Sequence, residues 1–341
     1  MLRIIRFLSL SVAGLAFVLG SSHASTHDFY KGKTMRIIVG FSAGGGYDTY
    51  SRLIARHMGR HIAGNPTIIV ENMPGAGSLI SANHVYNVAK PEGLTVGNFL
   101  GEFFTQQVLG RPGIEFDARK FEYIGVPVQD QHVIGISGAT GITSIEGWLA
   151  SKKELRLGAA AVGGTQHNIP RILKYTIGLP NQVVTGYKGS ADIRLAFNNG
   201  EIHGLSLPWE SFKATWVREL QSGELIIALQ NVPKPHPDLP NVPLAISYAK
   251  TEEARKLIEA GIHGIGPTAR PYVLPPGTPK ERVRILRKAF METLKDPEFL
   301  AEAKKAKLDI NPLDGERLER NVKEIFNLEP QLVAKLKEIL K

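Results

Sequence analysis

Four glycine-bearing segments carry the residue types best able to hold a small ligand: Ser42-Ala43-Gly44-Gly45-Gly46-Tyr47-Asp48, Asn72-Met73-Pro74-Gly75-Ala76-Gly77-Ser78, Val162-Gly163-Gly164-Thr165-Gln166-His167 and Gly186-Tyr187-Lys188-Gly189-Ser190-Ala191-Asp192. Each follows a short apolar run and precedes a stretch of helical periodicity. A helix start leaves its first N–H groups without internal partners and carries about half a positive charge, so an anion is its natural partner. Glycine lets backbone amides approach such a ligand with no Cβ between them. Facing one cleft, four such cups would grip a small anion from two sides; taken singly, each is equally well a tight connection from strand to helix. None of the four contains Arg, so amides and hydroxyls rather than guanidinium groups are the expected anion ligands.

Other chemistries fail on spacing or composition. Gly75-Ala76-Gly77 has Ile80 where the dinucleotide fingerprint needs a third glycine, and the segment ending Gly32-Lys33-Thr34 has His27 where a phosphate loop needs its first. Gly135-Ile136-Ser137-Gly138 is followed by Ala139, leaving the nucleophile elbow incomplete. His57 and His61 have helical spacing, but Met58 stands where a zinc protease has glutamate, so both are expected on a polar helix face. Asp48 and Asp192 read as helix-start carboxylates satisfying free amides, and His167 is as well explained by local backbone bonding as by ligand contact. A hydrolase using Ser137, Ser190 or His167 therefore lacks a complete constellation, and no cofactor or metal is expected. The absence of cysteine removes disulfide scaffolds, thiolate zinc, iron–sulfur clusters and thiol nucleophiles together.

The elements that must position these loops alternate between apolar strands and amphipathic helices, a pattern that predicts an α/β fold with mostly parallel strands. Strands are predicted at Met35 to Val39, Thr67 to Val70, Leu94 to Phe99, Leu155 to Ala160 and Val183 to Thr185, the glycine loops following all but the third. The strand–loop–helix units fall into two pairs separated by Phe121 to Ser144, which predicts two lobes joined by one long extended crossing. A return is expected near Leu225 to Leu229, ahead of the proline-rich Val232 to Pro237. Lys280 to Leu294, Pro297 to Lys307, Gly315 to Phe326 and Glu329 to Leu340 read as C-terminal helices. Lobe 1 is thus expected to be discontinuous, residues 25–129 plus 231–341, with residues 130–230 as lobe 2.

Arg3 and Arg6, an apolar run of about 14 residues from Phe7 to Gly20 and the small residues of Ser22-His23-Ala24 predict a secretory signal peptide, residues 1–24, cleaved after Ala24. An exported protein with no stable membrane insertion follows. The 341 residues are 43% hydrophobic, ample for a buried core, which excludes disorder as the main state. Removing Arg3 and Arg6 from the 41 basic residues leaves 39 against 32 acidic, and the excess is spread over mixed-charge helices near the C-terminus. A nucleic-acid stripe would be denser and interleaved with aromatics, so no nucleic-acid partner is expected.

Ile37-Ile38-Val39 leading into Gly44-Gly45-Gly46-Tyr47-Asp48, then Val70-Glu71-Asn72-Met73-Pro74-Gly75-Ala76-Gly77, Tyr187-Lys188-Gly189 and Pro275-Pro276-Gly277-Thr278-Pro279, resemble the substrate-binding receptors of tripartite tricarboxylate transporters, the Bug family. The resemblance runs from about Phe29 to Pro279. It implies a two-lobed periplasmic binding protein of the Venus-flytrap type, monomeric, that closes on a small carboxylate and delivers it to a two-component membrane permease; a sensor partner binding the same ligand is the alternative. Carried over by position, Phe41, Ser42, Ala43, Gly46, Tyr47 and Asp48 with Gly75, Ala76, Gly77 and Ser78 would supply the first-lobe contacts. Gly164, Thr165, Gln166 and His167 with Tyr187, Gly189, Ser190 and Ala191 would close from the second. The chain departs from the family at Ser42-Ala43, where proline is common, and at Tyr47, where a small hydroxyl residue is usual; Tyr47 would stack on an aromatic ligand or fill a crevice. His203, in Gly200-Glu201-Ile202-His203-Gly204, stands where the family often has an acidic residue, which argues against an amino-acid ligand, whose ammonium would want a carboxylate partner; the expected ligand is a small organic carboxylate, aromatic or dicarboxylate among the options. Trp209 and Glu210, after Pro208 near the same strand end, are placed where they could reach the cleft.

Overall fold

The first sheet grows outward from β1 (Thr34–Val39), where Met35 and the run Ile37, Ile38 and Val39 are buried, as an inner strand covered on both faces requires. The computed structural model describes residues 29–341, so the expected signal peptide lies outside the described residues. β2 (Thr67–Asn72) and β3 (Thr95–Asn98) flank β1 in parallel, placing Val70 and Val96 opposite Ile37. Beyond β3 come β10 (Tyr272–Leu274), β4 (Glu122–Val126) and the short β11 (Leu313–Asp314), each antiparallel to its neighbour. The second sheet runs β7 (Asn181–Thr185), β6 (Leu155–Ala159), β8 (Gly204–Pro208), β5 (His132–Ser137) and β9 (Leu225–Gln230). Here β6 is parallel to β7 and β8, while β5 is antiparallel to β8 and β9.

Both sheets are therefore mixed. The expected parallel pairing holds for β2-β1-β3 and β7-β6-β8, whose connections return through helices, and stops at the strands that carry the chain from one sheet to the other. Such strands need no crossover helix and are free to pair antiparallel. The extended segment expected from 121 to 144 is two strands in two sheets, β4 and β5, with the passage at residues 127–131.

Helices α1 (Gly46–Met58), α2 (Leu79–Asn87), α5 (Thr165–Ile177) and α6 (Ser190–Asn198) each begin where a glycine loop ends. Shorter helices fill the connections: α3 (Phe103–Val108), α4 (Ile145–Leu149), α7 (Trp209–Thr215), α8 (Val217–Ser222) and α9 (Glu252–Ile258). The four expected C-terminal helices are α10 (Lys280–Thr293), α11 (Pro297–Lys305), α12 (Gly315–Ile325) and α13 (Pro330–Leu340).

The stretch 231–341, expected wholly in lobe 1, is divided between two cores. Val283, Leu286 and Phe290 of α10, Phe299 of α11 and Leu318 and Val322 of α12 join the core of the first sheet. Leu257 and Ile258 of α9 and Leu336 and Ile339 of α13 join Trp148, Leu157 and Ile172 in the core of the second. Arg171 of α5 reinforces the docking of α13 by donating from Nη2 to the Ile339 carbonyl at 2.9 Å. An amphipathic stripe on a helix states that a face must be covered, not which core covers it. The chain consequently passes between the sheets again before β10 and once more between α12 and α13.

Candidate ligand-binding site

Three of the four helices that follow glycine loops start on a glycine N-cap, Gly45 for α1, Gly164 for α5 and Gly189 for α6, and none has a side-chain cap hydrogen bond. Most of their first-turn N–H groups are left for another acceptor, the His167 N–H, bonded to the Gly164 carbonyl at 3.0 Å, excepted. The loop before α2 is built differently: Gly75, Ala76, Gly77 and Ser78 all have positive φ, at 140°, 47°, 68° and 80°. For Ala76 and Ser78 that conformation costs about 1–2 kcal/mol each. One tertiary and one local bond hold it: Ser78 Oγ accepts from the Leu100 N–H at 2.9 Å, and the Ser78 carbonyl accepts from Ser81 Oγ at 2.7 Å.

The four loops meet around one cavity. Phe41, Gly46, Tyr47 and Gly77 line it from the first sheet, together with Gly45. Gly164, Thr165, Gln166 and Ser190 line it from the second. The loops also touch each other across it: Ser42 Oγ donates to Asp192 Oδ2 at 2.7 Å and the Ser42 N–H to the Lys188 carbonyl at 3.4 Å. The molecule is thus in a closed arrangement, with Ser42 and Asp192 spanning the cleft rather than facing the cavity.

Several other expected residues stand behind the lining. Asp48 is buried; Arg52 Nε and the Gly44 N–H donate to its Oδ2 and Asn72 Nδ2 to its Oδ1, each at 2.9 Å. Burial opposes its ionisation, but those bonds outweigh it and hold the carboxyl below its usual range. Asp48 therefore shapes the first loop. Ala43 is exposed, Gly75 and Ala76 form the strained turn, and Ser78 anchors it. His167 Nδ1 lies 2.9 Å from Asn168 Oδ1, a local engagement. Tyr187 packs with Ile193 and Ile202 in a third apolar cluster, Gly189 closes against Ser42, and Ala191 continues the first turn of α6.

Tyr47 both lines the cavity and is fastened. Its hydroxyl donates to the Ala269 carbonyl at 2.6 Å, its ring meets Phe41 at 4.6 Å, and the Arg270 guanidinium lies 5.1 Å from its centroid. Trp209 turns away to donate from Nε1 to Asp238 at 3.0 Å. His203 sits at the opposite end of β8, where Nδ1 accepts from the Arg156 N–H at 2.8 Å beside a separate surface depression that also holds Ser137. The three groups a hydrolase would need are not brought together.

Sequence reasoning missed the rest of the lining: Leu100, Ala160, Ala161, Leu207 and Pro208 as apolar wall, and Asp130, His132 and Ser211 as polar groups. Asp130 and His132 sit where the chain passes between the sheets, and no motif marks them. Around them is a buried ionic cluster. Arg270 Nε donates to Asp130 Oδ1 and its Nη2 to Ser211 Oγ at 2.6 Å, with Arg270 and Asp130 side chains each only 1% exposed. Both ring nitrogens of His132 lack a partner, and burial followed by the Arg270 charge pushes its pKa down to about 3. Burial pushes the Glu102 carboxyl up to about 8, the backbone and the Thr165 hydroxyl offsetting it only in part. Burial and then the charge of Asp130 raise Glu210 to about 8, although its Oε2 accepts from the Gln131 N–H at 3.2 Å.

Two groups of side chains among the described residues have the proximity to ligate a metal, His57 with Asp296 and Glu298, and Glu210 with His236 and Asp309. Cations already serve both: Arg60 pairs with Asp296 and Glu298, and Lys213 with Asp309. His57 and His61 bond to Glu302 and Asp296, but the expected polar helix face is not where they lie: His57 is buried edge-on to Phe299 and His61 falls in the turn after α1.

Residues 51–337 match the model of the tripartite tricarboxylate transporter family receptor. A UPF0065 protein encoded in the gbd 5′ region of Cupriavidus necator is 23% identical over 325 residues, 91% of this chain and 89% of that one. The structure is similar to that of the periplasmic binding protein BugD, with a TM-score of 0.74 and 24% identity over 91% of this chain and 98% of the other. It is also similar to an R. palustris protein solved with adipate, with a TM-score of 0.73 and 22% identity over 90% of this chain and 98% of the other. The two-lobed fold of those proteins is the fold found here. Among the described residues no helix is long and apolar enough to cross a membrane.

Proposed function

This chain belongs to the tripartite tricarboxylate transporter receptor family, whose members are substrate-binding receptors rather than enzymes, and on that premise we propose that it is a periplasmic receptor for a small organic carboxylate. The observation that carries the reading is the convergence of three uncapped, glycine-started helices and one left-handed loop on a single cavity between two sheets. Amides aimed at one point and backed by helix dipoles suit a carboxylate without a neutralising side chain. That a relative of the same fold was solved with adipate supports the ligand class.

In this reading the carboxylate first meets the first-sheet loops, at Gly45 to Tyr47 and Gly77. Hinge motion where the chain passes between the sheets then brings Thr165, Gln166 and Ser190 onto it, and Ser42 closes on Asp192 and Lys188. Ligand affinity is the free energy by which the closed form is favoured over the open one. The closed surface is what a two-component membrane permease would recognise when it accepts the cargo. Titration with mono-, di- and tricarboxylates should stabilise the purified protein thermally, by about 2.7 kcal/mol at a hundredfold excess over Kd. No shift with any carboxylate would sink the ligand class.

A further inference from the structure

Two chemically different groups of residues line the cavity. One is the ring of loop amides and hydroxyls; the other is formed by Asp130 and His132, which line it from the passage between the sheets. His132 is 2% exposed with both ring nitrogens unpartnered, and Asp130 is held by Arg270 at Oδ1. A buried polar side chain that lines a cavity without a partner is costly unless something in the cavity satisfies it.

We propose that Asp130 and His132 recognise a second group of the ligand beside its carboxylate and select carboxylates carrying an ammonium or hydroxyl donor there over those ending in a second carboxylate. The inference rests on the carboxylate reading above and specifies it. Asp130 already occupies Nε of Arg270, and burial pushes the carboxyls of Glu102 and Glu210 up to about 8, so at pH 7 the Asp130–Arg270 pair is already neutral. A second carboxylate entering here would be desolvated beside Asp130 and would compete with it for Arg270. A donor group meets the opposite situation: it can bond to the carboxylate of Asp130 and to the acceptor nitrogen of His132, which burial keeps neutral. Arg270 Nη1 is also unpartnered, and it is the group a diacid would have to reach. The chain thus carries an acidic group at the cavity although His203 stands far from it, and the expectation against an amino-acid ligand, drawn from His203, loses its basis.

Calorimetric titration of the purified protein at pH 7 with matched three- to six-carbon acids, ending in methyl, hydroxyl, ammonium or carboxylate, tests this. At the best chain length the hydroxy or amino acid should bind at least about tenfold tighter than the diacid and the unsubstituted acid, the two donor arms telling hydroxyl from ammonium. Asp130→Asn should reduce the advantage of the amino acid over the unsubstituted acid to within about threefold. Should that variant not fold, His132→Phe and the ranking on the unaltered protein carry the test. A diacid that binds as tightly as the donor-bearing acids overturns the inference and leaves the carboxylate reading standing. No binding by any acid overturns both.

Discussion

At Gly77 a single methyl group separates an open from a closed cleft. A Cβ built there would lie 2.6 Å from Ala161 Cβ on the facing loop, well inside contact distance. Gly77→Ala should therefore weaken carboxylate binding by more than about tenfold, while its positive φ costs the fold about 1 kcal/mol. Gly44 is the control, since its φ of +81° carries the same strain but nothing lies within 4 Å of its Cβ position. Gly44→Ala should lower the melting temperature comparably and leave affinity unchanged. Calorimetry and thermal melting on both variants decide the matter, and equal affinity losses would place the cause in loop strain rather than closure. The glycines could be read in the sequence because their spacing before helices is a local property. Asp130 and His132 could not, because their role comes from burial at a passage between sheets that no local pattern records.

The loops act as elements through the bonds they make to one another. Ser42 in the loop before α1 gives its hydroxyl to Asp192 in the first turn of α6, so the bond exists only when the two halves of the cleft meet. A hydrogen bond to a charged acceptor contributes more than a neutral one, but this pair is partly exposed, and a net of about 0.5–1.5 kcal/mol is expected. Ser42→Ala should then lower ligand affinity by about three- to tenfold and leave the ligand-free melting temperature within a degree or two, as measured by calorimetry and scanning fluorimetry. An unchanged affinity would mean that the contact does not contribute to closure. Helix boundaries were legible at this scale: Asp296, which accepts from the Glu298 N–H at 2.8 Å, and Pro297 mark the start of α11 as N-cap chemistry predicts. The destination of α13 was not, because its apolar face suits either core until the tertiary fold offers one.

For the molecule as a whole, the buried ionic cluster sets a pH dependence opposite to that of ordinary surface carboxylates. Glu102 titrates near 8 when folded and near about 4.3 when unfolded, so the folded state binds the extra proton between those values. Stability must fall as pH rises through that window, and Glu210 adds to the same trend. His132 acts in the other direction, but only below its unfolded value of about 6.5, since the folded protein keeps it neutral down to about 3. Between pH 6.5 and 8.5 the glutamates dominate. The melting temperature should therefore drop across that range, and Glu102→Gln, which imitates the protonated form, should flatten the drop and raise stability at pH 8.5. Thermal melts at matched ionic strength check this, and an equal slope in the variant would refute the assignment to Glu102.

From the sequence alone came the α/β class, most strand and helix positions, the four glycine loops and the family, because periodicity, glycine placement and helix starts are properties of neighbours along the chain. Only the tertiary structure decided that β4, β5 and β10 make the sheets mixed, that α9 and α13 leave the first core for the second, and that Asp130, His132 and Arg270 converge beside the cavity. Those outcomes depend on contacts between residues as far apart as Asp130 and Arg270. Such pairings are selected by burial and charge compensation across the whole fold rather than by any spacing in the sequence.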